Sequence, residues 1–427
     1  MRRLRPNDVV VANGFNKFHL TVAAAVLDQA GYLQVLLTGA YPYRLMRAVV
    51  SLTGNRWPRL AKFCDRAEKI DESRIRADFV AEAFHFSQYL LRGWPALGIL
   101  AGKIDMASYR FCSWNSLAML RASAEGARIF HYRSGFGLAA AAAARERGMV
   151  LICDHSIAHP AVLDYLIANG GRLPTDPTVL RVPDFWRGVI EDIDGADLVL
   201  VNSHFVRDTF LAAGNTGDRI EVVYWGLDDN FLASIPSRAP GGDREVLRFL
   251  FAGAWEKRKG CEVVSAALDF VTGPSELHIA GPVGPDQEAG LSRLQEGRNV
   301  VRHGAMRRSD LARLMSECDV LVFPSLAEGS ARVVFEAMAC GCAIITTPNA
   351  GSVVQSGKHG WVVPPGDFRA LAVAMNEACQ ARKFVAAAGV GNAALVRAQY
   401  GQRDYSNGLV GVYQRALDRH RSPAALG

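Results

Sequence analysis

The sequence predicts an α/β protein in two parts, each built on strands that alternate with helices. Three observations carry that expectation. The chain has 427 residues, more than one ordinary core accommodates. Short apolar runs alternate with segments of helical period along most of its length. A stretch over 234–243 reads Ser-Ile-Pro-Ser-Arg-Ala-Pro-Gly-Gly-Asp, and the alternation restarts after it.

Asp8-Val9-Val10-Val11-Ala12 reads as the first strand and ends in Asn13-Gly14-Phe15. A helix over 19–30, Gly31 and a strand over 34–37 complete a βαβ unit with a glycine turn at the strand's carboxyl end. Further strands are expected at 127–130, 150–153, 198–202 and 220–224. Residues 75–125 fit the rhythm poorly, with Phe79, Phe84, Phe86, Tyr89, Trp94, Tyr109, Phe111 and Trp114 interleaved with Arg92, Lys103, Arg110 and Arg121. Two readings stand there: an aromatic and basic face at a membrane interface, or helices packed on the sheet with aromatics inward. In the second part, strands are expected at 247–252, 276–280, 300–303, 320–324 and 343–346, with helices over 260–268, 308–317 and 331–340. That sheet is expected to be parallel with helices on both faces, and ligands belong at its strands' carboxyl ends. The expected limits are a first domain over 1–235, a linker over 236–243, a second domain over 244–400 and a bracing C-terminal helix over 401–427.

Composition narrows the function classes. Half of the residues are hydrophobic and 21% are charged, as in a folded enzyme. Residues 1–150 hold 21 Lys/Arg against 11 Asp/Glu, so the basic surplus sits in the first third. Such a surplus attracts anionic lipid or phosphorylated substrates, or it is simply a solvated basic face. Eight scattered cysteines form no Cys-x-x-Cys pair, which argues against structural zinc and suits a reducing compartment. The N-terminal arginines are followed by Pro6-Asn7-Asp8 rather than an apolar signal core, and no run is long enough to span a bilayer. The expectation is a cytoplasmic enzyme, at most peripheral at the inner face of a membrane, with no nucleic acid partner.

The richest constellation runs from Phe323-Pro324-Ser325 to Gly341. A buried strand ends at Pro324, Glu328 stands on the following turn, and Ser330 is the expected N-cap of a helix that Gly341 terminates. Glu336 falls about two turns inside that helix. The amides of Gly329, Ser330 and Ala331 are expected to point out of the helix N-terminus, a ready anion site. Carboxylates on either side of an amide-rich turn suit sugar and ribose hydroxyls flanking a diphosphate. Spacing alone would say little; the strand, proline, turn and helix around it give it meaning. A second constellation, Gly253-Ala254-Trp255-Glu256-Lys257-Arg258-Lys259-Gly260, places cations where they would neutralise a departing diphosphate.

The Phe323–Gly341 segment, with Glu328 and Glu336 separated by seven residues, resembles the donor-binding motif of retaining glycosyltransferases of the GT-B fold, glycosyltransferase family 4 (group 1). The likeness extends to Thr347-Pro348-Asn349-Ala350-Gly351, to 357–367, and to Ala196–Ser203 and Val222–Asp228. It implies two Rossmann-like domains facing a central cleft, the second holding a nucleotide-diphosphate sugar and the first a glycan or lipid-linked acceptor. It implies that Glu328 lies near the transferred sugar and Glu336 holds the ribose, with Gly253, Gly329, Ser330 and Ala331 lining the donor site. Lys259-Gly260 match the family's pattern; Ala254 stands where an Arg is common, and Arg258 is inferred to supply the second cation. His155, after the strand 150–153, best matches a family histidine near the donor sugar, with His131 and His159 as alternatives. Asn13 and Gly14 are candidates for the cleft wall. Ser352 stands where the family often has a Glu. No Asp-x-Asp stands at a cleft-facing strand end of the second domain, so no essential metal or other cofactor is expected. The implied reaction is hexosyl transfer with retention, in bacterial envelope or exopolysaccharide assembly. A sugar-nucleotide epimerase or hydrolase of related fold, and a non-catalytic sugar-nucleotide-binding subunit, stay open as rivals.

Overall fold

The computed structural model describes residues 3–15, 19–53, 60, 63–92, 97–123, 125–236, 245–296 and 299–420. The first part holds strands β1 (Val9–Gly14), β2 (Leu33–Thr38), β3 (Ile75–Ala77), β4 (Ile129–Arg133), β5 (Val150–His155), β6 (Leu198–Val201) and β7 (Ile220–Val222). They form one seven-stranded sheet in the order β3-β2-β1-β4-β5-β6-β7, and every pairing is parallel. Parallel neighbours need crossover connections, which is why each apolar run is followed by a helix. Among these are α1 (Leu20–Gln29), α2 (Arg44–Thr53), α3 (Phe79–Arg92) and α4 (Gly98–Ser123). Burial of both sheet faces explains strands such as Val9-Val10-Val11, apolar at every position rather than alternating.

After β7 the chain crosses through the short helix α5 (Asp229–Ser234). Most of the expected linker, over 237–243, lies outside the described residues. The second part is a six-stranded parallel sheet, order β10-β9-β8-β11-β12-β13. Its strands are β8 (Leu247–Ala252), β9 (Ser275–Ala280), β10 (Val300–Gly304), β11 (Val320–Phe323), β12 (Ala343–Thr346) and β13 (Gly360–Val362). The helices that matter for the site are α6 (Cys261–Ala267), α7 (Arg308–Glu317) and α8 (Arg332–Ala339). Finally α9 (Gln402–Arg419) returns to the first part, burying Tyr405, Leu409, Val412 and Tyr413 in one cluster with Val9, Leu20 and Leu36. Each part is thus a parallel α/β sheet, the class the sequence predicts.

Residues 75–125 divide between the two readings. α3 and α4 pack on each other and on the sheet side, with Tyr109 half-buried against Phe15 and Phe136, while Phe79, Phe86, Tyr89 and Trp114 are exposed. Among the described residues, no helix is long and apolar enough to cross a membrane.

Candidate functional site

In each sheet the strand order reverses between two neighbours: β1 and β4 in the first, β8 and β11 in the second. The connections leaving such a pair run to opposite faces and open a crevice at the carboxyl ends. Gly253 follows β8 and Glu328 lies five residues beyond β11, so both constellations of the second part flank its crevice.

Hydrogen bonds stitch the turn after β11 to the loops on either side. Leu326 N–H and Ser325 Oγ donate to the Arg258 carbonyl at 2.8 and 3.1 Å. Glu328 N–H donates to Asn349 O at 3.0 Å, and Asn349 Nδ2 returns to Leu326 O at 2.7 Å. Held this way, the Glu328 carboxylate is 16% exposed, and its Oε1 lies 2.8 Å from Arg258 Nη1 and 3.5 Å from Lys259 Nζ. Oε1 has no well-oriented hydrogen bond among the described residues, so these contacts are Coulombic. Arg258 is fixed in turn, Nη1 donating to Ala327 O at 2.9 Å and Nη2 to Glu256 at 2.8 Å. The lysine ammonium lies 5.6 Å from the centroid of the Phe323 ring. A side chain at Gly253 would press on Lys259 Nζ at 3.3 Å, so the glycine leaves the ammonium its place.

Two local expectations need correction. Ser330 does not cap α8: the N-cap is Ala331, and no side chain caps the helix. Nor does the Ala331 amide point outward, because it donates to Ala350 O at 2.8 Å. The β12 loop claims that amide, so the turn runs one residue further before helical geometry begins. The amides of Gly329 and Ser330 have no protein acceptor among the described residues.

Glu336 is buried in α8. Its Oε1 accepts Arg308 Nε at 2.9 Å and lies 3.4 Å from Arg332 Nε. Both arginines also reach Asp228 Oδ2, Arg332 Nη2 at 2.7 Å. Asp228 accepts from Phe231 N–H at 2.9 Å as the cap of α5. Burial works to raise its carboxyl, but hydrogen bonds from Arg308 and Phe231 outweigh that and lower it. The crossover between the two parts is thereby tied electrostatically to the helix that carries Glu336. Sequence reasoning missed Arg308 and Arg332, although Arg332 stands four residues before Glu336, a legible helical ion-pair spacing.

The first part brings its candidates to the facing edge. Gly14 has φ +76°, and a Cβ there would fall 2.6 Å from the Phe136 ring, so packing within this part accounts for the glycine. Asn13 is buried beside Thr38, its Nδ2 3.4 Å from Oγ1. His155 is buried, with Nδ1 2.8 Å from Ser134 Oγ and Nε2 3.4 Å from Ala158 O. Burial first, and the neighbouring His159 second, push its pKa down to about 3, so it is neutral at neutral pH. His159 caps the helix Pro160–Ala168, accepting from Ala161 N–H at 3.2 Å. His131 lies 2.7 Å from Tyr413 OH and, with His19, flanks Asp154.

The two edges meet at Gly329. Ser203 Oγ donates to its carbonyl at 2.5 Å, and a Cβ on Gly329 would lie 1.9 Å from the Ser156 carbonyl. Nearby, Asn349 Nδ2 donates to Gly171 O at 2.6 Å. The turn carrying Glu328 therefore abuts the residue that follows His155.

Comparisons with known proteins match part of the chain to a family, and its two-sheet architecture, the GT-B fold, to solved structures. Residues 247–381 match the family model described as glycosyl transferases group 1. The D-inositol 3-phosphate glycosyltransferase of Mycobacterium ulcerans is 24% identical over 298 residues, covering 64% of this chain and 61% of that protein. A Salmonella typhimurium protein named as a colanic acid biosynthesis glycosyltransferase, WcaL, is 33% identical over 271 residues, covering 54% of this chain and 66% of its own. The chain thus spans slightly less than two thirds of the length of these relatives. Among solved structures, Anabaena Alr3699/HepE in complex with UDP and glucose superposes with a TM-score of 0.60 at 15% identity, over 95% of this chain and 99% of that one. Sucrose-phosphate synthase from Thermosynechococcus elongatus gives 0.65 at 16% identity, over 98% and 100%.

Proposed function

We propose, from the match of residues 247–381 to the glycosyl transferases group 1 model and from the geometry around Glu328, that the protein is a retaining glycosyltransferase. It moves a hexosyl group from a nucleotide-diphosphate sugar to a glycan or lipid-linked acceptor in bacterial envelope or exopolysaccharide assembly. One observation carries the reading: a carboxylate, Glu328, held against two cations, Arg258 and Lys259, at the strand-order reversal of the second sheet. The UDP and glucose in the HepE complex and the colanic acid role in the WcaL name support the donor and acceptor classes.

In this reading the donor diphosphate lies between Lys259, Arg258 and the amides of Gly329 and Ser330. These donors stabilise the charge that grows on the leaving oxygen as the C1–O bond breaks. Glu328 accepts hydroxyl hydrogens of the sugar, and Glu336 accepts those of the ribose, its orientation set by Arg308 and Arg332. The acceptor oxygen bonds to C1 on the face the diphosphate leaves, and its proton passes to a phosphate oxygen. Retention follows without a protein nucleophile. His155, neutral and buried against Ser134 and Ala158, acts on the sugar only indirectly, by fixing the strand end whose next residue, Ser156, meets the Glu328 turn.

The test is a donor panel followed by two variants. UDP-, GDP- and ADP-sugars are screened by thermal shift, since a bound donor raises the melting temperature. With the stabilising donor, Glu328→Ala is expected to lower transfer at least about a hundredfold while the nucleotide still binds. Glu336→Ala is expected to weaken the nucleotide itself. Normal transfer by Glu328→Ala refutes the assignment.

A further inference from the structure

The first part carries a surface that neither the donor site nor the core explains. In α2, Leu45, Ala48, Val49 and Leu52 form one stripe at helical spacing, and that stripe faces solvent: Leu45 is 79% and Leu52 87% exposed. Its neighbour Arg44 is exposed too. In α3 the outward line is Phe79, Ala83 and Phe86, flanked by Val80 and Tyr89. In α4 it is Lys103, Arg110, Trp114 and Arg121, flanked by Leu100, Met106 and Phe111, with Trp114 64% exposed. Phe84 of α3 meets Phe111 of α4 edge-on at 5.5 Å along the seam between the two helices.

Charge is the second, independent feature. Among the described side chains of α2, α3 and α4, every exposed charged residue is Arg or Lys. The acids of α3 and α4 are turned away. Glu82 is buried and paired with Arg66, and Asp105 accepts from Gln88 at 2.8 Å. Apolar and aromatic side chains set among cations, with Glu72 beside the start of α2 already paired with Arg47, match an anionic bilayer surface: rings and aliphatics enter the acyl boundary while guanidinium and ammonium groups stay with the headgroups.

We propose that α2, α3 and α4 dock the protein on an anionic lipid bilayer. Their position gives the docking a purpose. Phe15, on the turn after β1, stacks on His85 of α3 at 4.0 Å and meets Tyr109 of α4 edge-on at 5.3 Å. The docked helices therefore border the turn that opens the first part's side of the cleft, where a lipid-linked acceptor arrives without leaving the membrane. That purpose rests on the acceptor class proposed above; the docking itself does not.

The experiment uses the full chain with vesicles of phosphatidylcholine, with and without phosphatidylglycerol, in a co-sedimentation assay. Binding is expected only with the anionic lipid and is expected to fall at high salt. The pair Lys103→Gln and Arg110→Gln removes two cations at about 1 kcal/mol each, so the partition coefficient drops roughly 30-fold. Trp114→Ser together with Phe86→Ser is expected to abolish binding. The melting shift produced by UDP is measured on the same preparations and is expected to be unchanged. Equal binding to both vesicle types, or equal binding by wild type and variants, overturns the proposal. So does a self-association of the wild type that Trp114→Ser abolishes, which would make a second copy the occupant. Vesicle binding by a wild type that UDP, GDP and ADP all fail to stabilise would instead refute the donor reading and leave the docking surface standing.

Discussion

Replacing Gly260 by alanine tests how the cationic loop is built. Gly260 joins the Lys257–Lys259 turn to α6 at φ +83° and ψ 24°, a left-handed conformation. That conformation costs an L-residue about 1–2 kcal/mol. A Cβ at this position would also lie 2.2 Å from the Pro324 carbonyl oxygen, a backbone atom that cannot swing aside. Relieving that overlap moves the 257–260 loop away from the end of β11, adding about 1–3 kcal/mol of overpacking. Gly304, at the end of β10, supplies the control. Its φ is +67° with nothing within 4 Å of the Cβ position, so Gly304→Ala carries the conformational cost alone. For a unit of this size each kcal/mol lowers the melting temperature by about 2–4 °C. Gly304→Ala is expected to lose about 2–8 °C, and Gly260→Ala about 2–12 °C beyond that. Differential scanning calorimetry with and without the nucleotide that the donor panel selects reads both effects. Only Gly260→Ala is expected to weaken the stabilisation by that nucleotide, because Arg258 and Lys259 move with the loop. If the two variants melt alike and bind it alike, the close approach of Gly260 to Pro324 does not hold the cations in place.

Gly329→Ala puts a methyl carbon 1.9 Å from the Ser156 carbonyl and wedges the two parts apart where they meet. Transfer is expected to fall about tenfold or more, as it does when reacting groups are displaced by an ångström, while small-angle scattering records a larger radius of gyration and the nucleotide selected by the donor panel still binds. Unchanged scattering and unchanged transfer would refute contact at this point. The buried histidines set a pH dependence. His155 and His159 have pKa values lowered to about 3 and about 4, chiefly by burial, so the folded state holds them neutral while the unfolded chain protonates near 6.5. Stability is therefore full above pH 6.5 and falls as pH drops from there toward 4, by about 1.4 kcal/mol per pH unit for each histidine. Urea titrations between pH 7 and 5 are expected to show that slope. The double variant His155→Asn and His159→Asn is expected to flatten it, and an unchanged slope would count against the buried neutral pair.

Much of the fold was legible because its signals are local. Strands buried on both faces must be apolar throughout, so Val9-Val10-Val11 and Val320-Leu321-Val322 announce themselves, and parallel pairing calls for crossover connections, helical for most of the strands. Glu328, Arg258 and Lys259 were legible because strand ends, prolines and glycines aim residues at the crevice through backbone geometry within a few positions. The cap at Ser330 was misread for the complementary reason: a side-chain cap competes with whatever else reaches the amides, and here Ala350, nineteen residues downstream of Ala331, takes one. The arginine bracket on Glu336 joins residues 228, 308, 332 and 336, and only strand order brings the first two to the others.

The sequence by itself determined the alternation of strands and helices, the two-part division and the local aim of the chemistry-bearing turns, because each follows from burial period and backbone preference. Only the tertiary structure decided which glycines serve packing rather than a ligand, as at Gly14 against Phe136, and which aromatics face outward, as at Trp114. It also decided where the two parts touch. These are properties of surfaces brought together by the crossover connections and by α9. They depend on distances between residues that no local pattern relates.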